Sequence, residues 1–554
     1  MNSRRLPAVL ATLTVLVASA RIAATHTVFT GTYDETVHLT SGIELLSNRT
    51  YDYSPTHPPA ARLTAALGPW LAGARFPSGE SISIPSFVAT ADSVMLSGSG
   101  YRENLRLGRI GILPFFLVTG LFLFLWTRHV AGEPTAAIAV ALLCFTPPVL
   151  AHSGVVTTDA AAMASFTAMV YAMQRWLEPH DSIQCSIWLG VAAGFAFGSK
   201  LSTIPFIGTT TVGLVAAFWI TARRSSTPFS LEISFKRLAI AAGTALLTLH
   251  ALYGFTVAQT LGFPAPLSDF VFGLMLLVRQ NMNGMVTYLL GDVYAGGRFL
   301  FFPVAIAVKT PIPLLLLATV GIVVSARRWR RGEGVRWLAP AIAFGAPFAV
   351  ASFSSINLGT RHVLPVYPAM AALGGIGIVA LWRVTTATRL VTAALATWMV
   401  IGTWRAHPDY LPWFNELAGD EPAAILIGSD LDWGQDLERL ADTVRTRGID
   451  SLSIAYYGFP DRLGQLFPNA RVIGPGDERP HGWFAVSETL YRRGWTSLPG
   501  ATFISETDSL DWLKEVEPVT RVGKTIRLYF LSRRTDIAPD DTVVTGPRTV
   551  PPPF

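Results

Sequence analysis

Two adjacent carboxylates, Asp34 and Glu35, stand about ten residues beyond the first apolar stretch, with His38 close behind. A carboxylate pair beside a membrane suits removal of a proton from an acceptor hydroxyl or amine. Asp34 equally reads as the N-cap of a helix beginning near Glu35. A second cluster, Tyr51-Asp52-Tyr53-Ser54-Pro55-Thr56-His57-Pro58-Pro59, offers His57 to orient a phosphate or a carboxylate, or starts a helix with proline in its first turn. Asp159, after Val156-Thr157-Thr158, is a second acidic site residue or the N-cap of an apolar helix. Arg298, Lys309, Arg361 and His362 could hold a phosphate or diphosphate, although an arginine at a headgroup boundary also snorkels without binding anything. Lys309 differs from the others, because a charge about a third of the way into an apolar segment is expensive unless paired. Lys200 reads either way, and His38 reads as packing rather than catalysis. Asp34, Glu35 and Asp159 could gather around Mg²⁺ or Mn²⁺. No Walker loop, GxGxxG or HExxH spacing is present.

The elements that position these residues follow from composition. The chain has 554 residues, is 51% hydrophobic and only 14% charged, where soluble globular proteins carry roughly 25% charge. The deficit is uneven. Residues 405–554 hold 16 Lys/Arg and 22 Asp/Glu, whereas residues 1–404 hold 27 and 15. A basic, charge-poor membrane body is thus joined to an acidic, soluble-like tail. Disorder is excluded by the abundance of large aromatics. The two cysteines, Cys144 and Cys185, lie in apolar runs and support neither a disulfide framework nor a zinc site. The arginines flank apolar segments, so their partner is the bilayer surface and not nucleic acid.

A spanning helix needs about 20 apolar residues. Eleven segments qualify, give or take one: Leu6–Ala24, Ile110–Trp126, Thr135–Ala151, Ala160–Trp176, Ile183–Gly198, Leu201–Thr221, Leu238–Val257, Phe299–Ser325, Leu338–Ser354, Leu364–Trp382 and Leu390–Trp404. The first, with Arg4-Arg5 before it and Ala18-Ser19-Ala20 near its end, also reads as a cleaved signal. With the N-terminus cytoplasmic, the basic residues between the spans fall on the cytoplasmic side. The polar clusters above, the first loop (25–109) and the tail then share the outer compartment. His57–Phe76 and Asp269–Arg279 read as amphipathic helices lying in the interface plane. The tail alternates a helical stretch (Asp436–Arg447) with strand-like ones (Ser451–Tyr457, Trp483–Val486, Ile526–Ser532). The expected fold class is therefore mainly α, a polytopic body over 1–404 with a soluble α/β domain over 405–545 and a disordered terminus over 546–554. Asn48-Arg49-Thr50 is formally a glycosylation sequon.

The motifs carry a resemblance. Asp34-Glu35 with His38, Gly42, Leu45-Leu46 and Tyr51, then His57-Pro58-Pro59-x-x-Arg62-Leu63, resembles the first outer loop of GT-C glycosyltransferases. The similarity is greatest to the protein O-mannosyltransferase and aminoarabinose-transferase superfamily, which takes sugars from polyprenyl phosphates. Thr157-Thr158-Asp159, Lys309-Thr310-Pro311, Asn357-Leu358-Gly359-x-Arg361-His362-x-Leu364-Pro365, Trp413–Gly419 and Ser429–Leu437 extend it over most of the chain. The resemblance implies a GT-C fold, Asp34 as catalytic base and Glu35 as its companion. Many relatives carry Lys-Pro-Pro where this chain has His57-Pro58-Pro59, which makes Arg298, Lys309 and Arg361 better candidates for the lipid phosphate. It also implies a polyprenyl-phosphate-linked donor and a protein, lipid or glycan acceptor. Because a lipid phosphate leaves without being protonated, one base suffices and a single displacement would invert the anomeric centre, and the basic residues flanking the spans put the reaction at the outer face of the cell membrane.

Two other classes compete. A transporter or flippase of a lipid-linked substrate would place ionisable groups near the midplane of several spans, and only Lys309 approaches that. A membrane-anchored interaction protein would leave the one-sided carboxylates without a purpose. In Ser429–Leu437, the acidic residues and Trp433 could contact a sugar, or Asp430 or Asp432 could cap a helix.

Overall fold

Every segment expected to span falls on a helix. The computed structural model describes residues 5–77, 84–178, 182–224, 234–258, 260–459, 462–497 and 510–532. Its helices begin with α1 (Leu6–Thr25), α2 (Glu35–Asn48), α3 (Ala60–Leu71), α4 (Ile84–Leu96), α5 (Tyr101–Ala131), α6 (Glu133–Cys144), α7 (Pro147–His152), α8 (Asp159–Leu177) and α9 (Ile183–Ser199). There follow α10 (Thr203–Arg224), α11 (Phe235–Leu252), α12 (Ser268–Asn283), α13 (Phe301–Lys309), α14 (Ile312–Arg330), α15 (Ala339–Ser352), α16 (Tyr367–Trp382) and α17 (Thr386–Arg405). Two short hairpins, β1 (Val257–Ala258) with β2 (Ala265–Pro266) and β3 (Val286–Leu289) with β4 (Asp292–Ala295), flank α12.

Among the described residues seven helices, not eleven, are long and apolar enough to cross a membrane. They are α1, α5, α10, α11, α14, and α15 and α16 each with the turn before it. Proline explains part of the difference, because it removes a backbone donor and crowds the preceding turn. Thr135–Ala151 breaks before Pro147 into α6 and α7, and Phe299–Ser325 breaks at Thr310-Pro311 into α13 and α14. The α9 helix has 17 residues. The 19-residue α8 and 20-residue α17 dilute their apolar side chains with Thr, Arg and other polar residues. At the centre runs α16, 83% buried over its span, packed on α6, α14 and α15.

The first loop folds as α2, α3 and α4. The amphipathic segment expected over His57–Phe76 becomes α3, which packs on α2 and α5. Its approach to α2 depends on Gly42, where an added Cβ would lie 2.2 Å from the Arg62 carbonyl oxygen. The segment Asp269–Arg279 lies within α12, as expected.

In the tail a helix, α18 (Leu437–Arg447), accompanies strands β5 (Leu452–Ala455), β6 (Arg471–Val472), β7 (Gly482–Ser487), β8 (Thr520–Val522) and β9 (Ile526–Leu531). The sheet runs β6-β5-β7-β9-β8, with β5 parallel to β6 and β7 and the other pairs antiparallel. Side chains alternate across a strand. Ile454, Ala485 and Leu528 accordingly join Leu437 and Leu440 in one core, while Ala455, Phe484, Val486 and Tyr529 build a second on the other face. The three strands expected from pattern coincide with β5, β7 and β9. The short edges β6 and β8 carry too few apolar residues to signal themselves. The terminus expected to be disordered, 546–554, lies outside the described residues.

Gly42→Val would force α2 and α3 apart. Overpacking of this kind costs roughly 1–3 kcal/mol, so the variant is expected to melt at a lower temperature than the wild type in detergent.

Candidate active site

Asp34 occupies the N-cap position of α2 with φ −88° and ψ −20°, yet its side chain makes no capping bond. Instead Oδ2 accepts a hydrogen bond from Arg361 Nη1 at 2.5 Å. The capping reading of Asp34 therefore gives way to a tertiary one. Its side chain is 23% exposed and that of Arg361 11%, so the pair is half-buried, in reach of solvent and not in the core. Arg361 sits in the turn Thr360–Val366, and its guanidinium stacks on Trp433 at 4.4 Å. Tyr33 stacks on Tyr457 at 5.7 Å, which packs the tail against the residue before Asp34.

Glu35 turns the other way and is fully buried. It accepts from Arg109 Nε (2.9 Å) and Nη2 (2.7 Å), and from the backbone N–H groups of Thr32 and Val156 (both 2.8 Å). Burial opposes its ionisation, but Arg109 and the two amides win and hold the carboxyl below the usual range. With both oxygens doubly engaged, Glu35 has no lone pair to spare for a substrate proton.

Asp159 is buried and pairs with Lys200, Nζ to Oδ1 at 2.5 Å, while Oδ2 has no hydrogen-bond partner. Its side chain does not cap α8. His57 and His362 lie within electrostatic reach of Asp159, Lys200 and Arg361. His57 packs edge-to-face on His38, whose Nδ1 accepts from Arg62 Nε at 3.0 Å. Burial, then the nearby Arg62, pushes both imidazoles well below their ordinary range, so each is neutral at pH 7. A neutral His57 can donate a hydrogen bond but brings no charge to a phosphate. Arg62 also binds Tyr51 Oη, the Ser54 carbonyl and Ser54 Oγ, and so shapes the His57-Pro58-Pro59 loop.

Asp34, Asp159, Arg361, His57 and His362 thus come together, with Lys200 added. Arg298 and Lys309 do not join them through any contact. Arg298 pairs with Asp292 at 2.9 Å on the β3–β4 hairpin and stacks on Tyr294. Lys309 donates to the carbonyls of Leu411 (2.7 Å) and Asp430 (2.6 Å) and stacks on Phe414. It satisfies its buried charge by clasping the tail. Arg62 and Arg109 were not among the expected site residues, and Trp433, considered for sugar contact, instead lies under the Arg361 guanidinium. The signals for the two arginines were the arginine in HPPxxRL and an arginine near the head of a long apolar helix.

The motif Ser429–Leu437 does structural work. Asp430 accepts from the Thr360 N–H (3.0 Å) and Oγ1 (2.6 Å), which locks the turn that presents Arg361. Gly359 makes this fit possible: its φ is +102°, and a Cβ there would lie 2.5 Å from Ser429 Oγ. Asp432 accepts from the N–H groups of Thr489 (2.8 Å) and Gly434 (3.3 Å). Neither caps a helix, since Asp436 holds the N-cap position of α18. The backbone N–H groups of Thr30 and Tyr33 donate to the carbonyls of Gln435 and Trp433, so the tail is stitched to the loop that carries Asp34.

The residues do not fit the divalent cation weighed from sequence. Asp34, Glu35 and Asp159 each face a cation of their own, and among the described residues no three metal-ligating side chains converge.

Residues 107–241 match the family model of the dolichyl-phosphate-mannose-protein mannosyltransferases. None of the curated proteins matches the chain. Among solved structures, the chain is similar to ArnT from Cupriavidus metallidurans bound to undecaprenyl phosphate, with a TM-score of 0.50 at 13% identity over 93% of this chain and 97% of that one. The oligosaccharyltransferase AglB from Archaeoglobus fulgidus, in complex with an inhibitory peptide and a dolichol phosphate, gives a TM-score of 0.42 at 13% identity over 87% and 69%. The fold is the GT-C fold that the motifs implied, and a segment within it matches the mannosyltransferase family model.

Glu35→Gln would leave the Arg109 charge buried without its anion, which costs roughly 3–5 kcal/mol, and the melting temperature is expected to fall accordingly. Because the folded-state pKa of Glu35 is depressed, its contribution is present above the unfolded value and is lost as pH falls through the folded one. Asp432 has the opposite sign. Burial, only partly offset by its hydrogen bonds, pushes its carboxyl up to about 7. The fold then holds a proton that the unfolded chain releases, so stability declines as pH rises from about 4 to about 7. Asp432→Asn is expected to flatten that decline in melting temperature against pH.

Proposed function

We propose that the chain is a membrane glycosyltransferase that moves a sugar from a polyprenyl-phosphate donor to an acceptor hydroxyl or amine at the extracytoplasmic face. The observation that carries this reading is the pairing of a half-buried base, Asp34, with Arg361, within electrostatic reach of the buried Asp159–Lys200 pair and neutral imidazoles. Arg361 takes Oδ2 of Asp34 and leaves Oδ1 without a partner among the described residues. That oxygen accepts the acceptor's proton. The acceptor oxygen or nitrogen forms its bond to the anomeric carbon as the bond from that carbon to the phosphate oxygen breaks, and the electron pair leaves with the lipid phosphate. Arg361 and Lys200 stabilise the departing charge, and His57 can donate to it. Unlike a glycosidase, which needs a second carboxyl group to protonate its leaving group, this site needs one base. A single displacement inverts the anomeric centre.

A place for the lipid supports the same reading. A cavity of about 550 Å³ opens between α5, α8 and α9, lined almost wholly by apolar side chains such as Phe115, Trp188 and Phe195. Ala161, Ala164, Ala168 and Ala172 form its small-residue wall at helical spacing along α8. It begins two residues past Asp159, and α9, which forms its other wall, ends next to Lys200. A prenyl chain lying there would deliver its phosphate to the Asp159–Lys200 end. Glu35 and Arg109 act as positioning residues for Asp34. The arginine distribution supports an extracytoplasmic site, and the clustering of buried ionisable groups such as Glu35, Arg62, Arg109, Asp159 and Lys200 around Asp34 favours an enzyme over a transporter.

Mass spectrometry of envelope glycans tests this in a strain lacking the chain. The deletion is expected to lose a glycan that the wild-type chain restores and Asp34→Asn does not, although the variant inserts and melts normally. Restoration by Asp34→Asn removes Asp34 from the base role. Lys200→Gln is expected to lower transfer by roughly 10²–10³-fold, the scale of losing one preorganised charge at a leaving group.

A further inference from the structure

The end of the bundle opposite Asp34 carries a second, unassigned cavity of about 360 Å³. Four arginines line it from three separated parts of the chain: Arg128 at the end of α5, Arg328 and Arg336 around the turn after α14, and Arg383 at the end of α16. Acidic neighbours account for half of that charge. Arg328 pairs with Glu333 at 2.6 Å and Arg128 with Glu133 at 3.8 Å. Arg336 and Arg383 have no acidic partner among the described residues. Trp337, which lines the same cavity, is 7% exposed, and its Nε1 donor has no acceptor. The N-terminal end of α6 also opens here, through Gly132 and Thr135, with no side chain capping it. Unpaired guanidinium groups, an unsatisfied indole N–H and an uncapped helix end all call for one thing, an anion with several acceptor oxygens.

The surroundings identify its source. Arg383 stands between Trp382 and Val384, which are 48% and 66% exposed. An aromatic and an aliphatic side chain beside arginine are what a lipid boundary accommodates, and basic pockets between helices at that depth take anionic headgroups. We propose that this cavity binds the phosphate headgroup of an anionic membrane lipid in the leaflet opposite the active site. The phosphate lies between Arg336 and Arg383, Trp337 Nε1 donates to one of its oxygens, and the acyl chains run past Trp382.

The test uses the purified full-length protein and native mass spectrometry with phosphatidylglycerol against phosphatidylcholine. The wild type is expected to retain phosphatidylglycerol selectively. The double variant Arg336→Gln/Arg383→Gln should bind it about thirtyfold more weakly, from roughly 1 kcal/mol per arginine at the surface. Both side chains are exposed, and unchanged melting verifies the fold. Trp337→Phe, which removes only the indole donor, should weaken binding by a smaller factor. Arg330→Gln/Arg331→Gln, on the same face but outside the cavity, should bind as the wild type does. Wild-type binding by the Arg336/Arg383 variant overturns the proposal. So does an equal loss in the Arg330/Arg331 variant, which would mean a diffuse basic face. Displacement of phosphatidylglycerol by millimolar inorganic phosphate, with phosphate retained alone, would make it a soluble-anion site and overturn the lipid assignment.

Discussion

The site depends on one buried ion pair, Arg109 with Glu35. Arg109 is 1% exposed, and besides Glu35 it donates to the carbonyls of His26, Phe29 and Thr30. Glu35 in turn receives the amides of Thr32 and Val156. One charge pair therefore gathers the end of α1, the loop after it, the start of α2, the head of α5 and the segment before α8. Removing two ions from water is expensive, and only a geometry that satisfies nearly every donor and lone pair repays it. Here the geometry does. The return is specificity of position more than stability: the backbone at Glu35 is held from both sides, so the preceding residue has little choice of direction. Two neighbouring carboxylates acquire opposite surroundings from this arrangement, one locked in the core and the other half-exposed against Arg361.

The tail enters this scheme as a structural part of the site. Asp430 fixes the turn at Thr360, Lys309 seals the carbonyls of Leu411 and Asp430, and Trp433 lies under the Arg361 guanidinium. A cation stacked on an aromatic face gains attraction and loses freedom at once. Arg361 consequently approaches Asp34 from a fixed side. The GT-C body alone would leave that turn unanchored, and the acidic motif of the tail is the anchor.

Much of this was legible in the sequence, and the misses have physical reasons. Period and length located the apolar helices of the bundle, because a stretch of apolar residues needs no partner to declare itself, whereas α4 in the first loop was not expected. The prolines that split two spans were visible too, but their effect depends on whether neighbours cover the freed carbonyls. Asp34 could be singled out with its role undecided between cap and base, since that choice depends on Arg361, 327 residues away. Glu35, Lys309 and Arg298 were harder still. A charged residue in an apolar context reads the same whether it faces a substrate or a carbonyl, and only tertiary structure supplies the difference. Lys200 shows the converse: an unremarkable lysine between two helices becomes central once Asp159 is found beside it.

The distribution of pairing between the two ends of the bundle completes the picture. At the Asp34 end, cations and carboxylates lie in ready-made pairs, Arg361 with Asp34 and Lys200 with Asp159, with one Asp159 oxygen left over. In the proposed reaction a phosphate arriving there competes with those carboxylates for the same guanidinium and ammonium. As Arg361 is drawn to the phosphate, its hold on Asp34 loosens at the moment when the carboxylate must accept a proton. On that proposal the pair would couple donor binding to release of the base, and an acceptor that arrived first would meet a carboxylate still engaged. At the far end Arg336 and Arg383 have, among the described residues, no such internal anion to give up. A phosphate bound there displaces nothing, which suits a resident lipid, whereas a site that must exchange its anion on every turnover is better served by pairs that re-form when the product leaves.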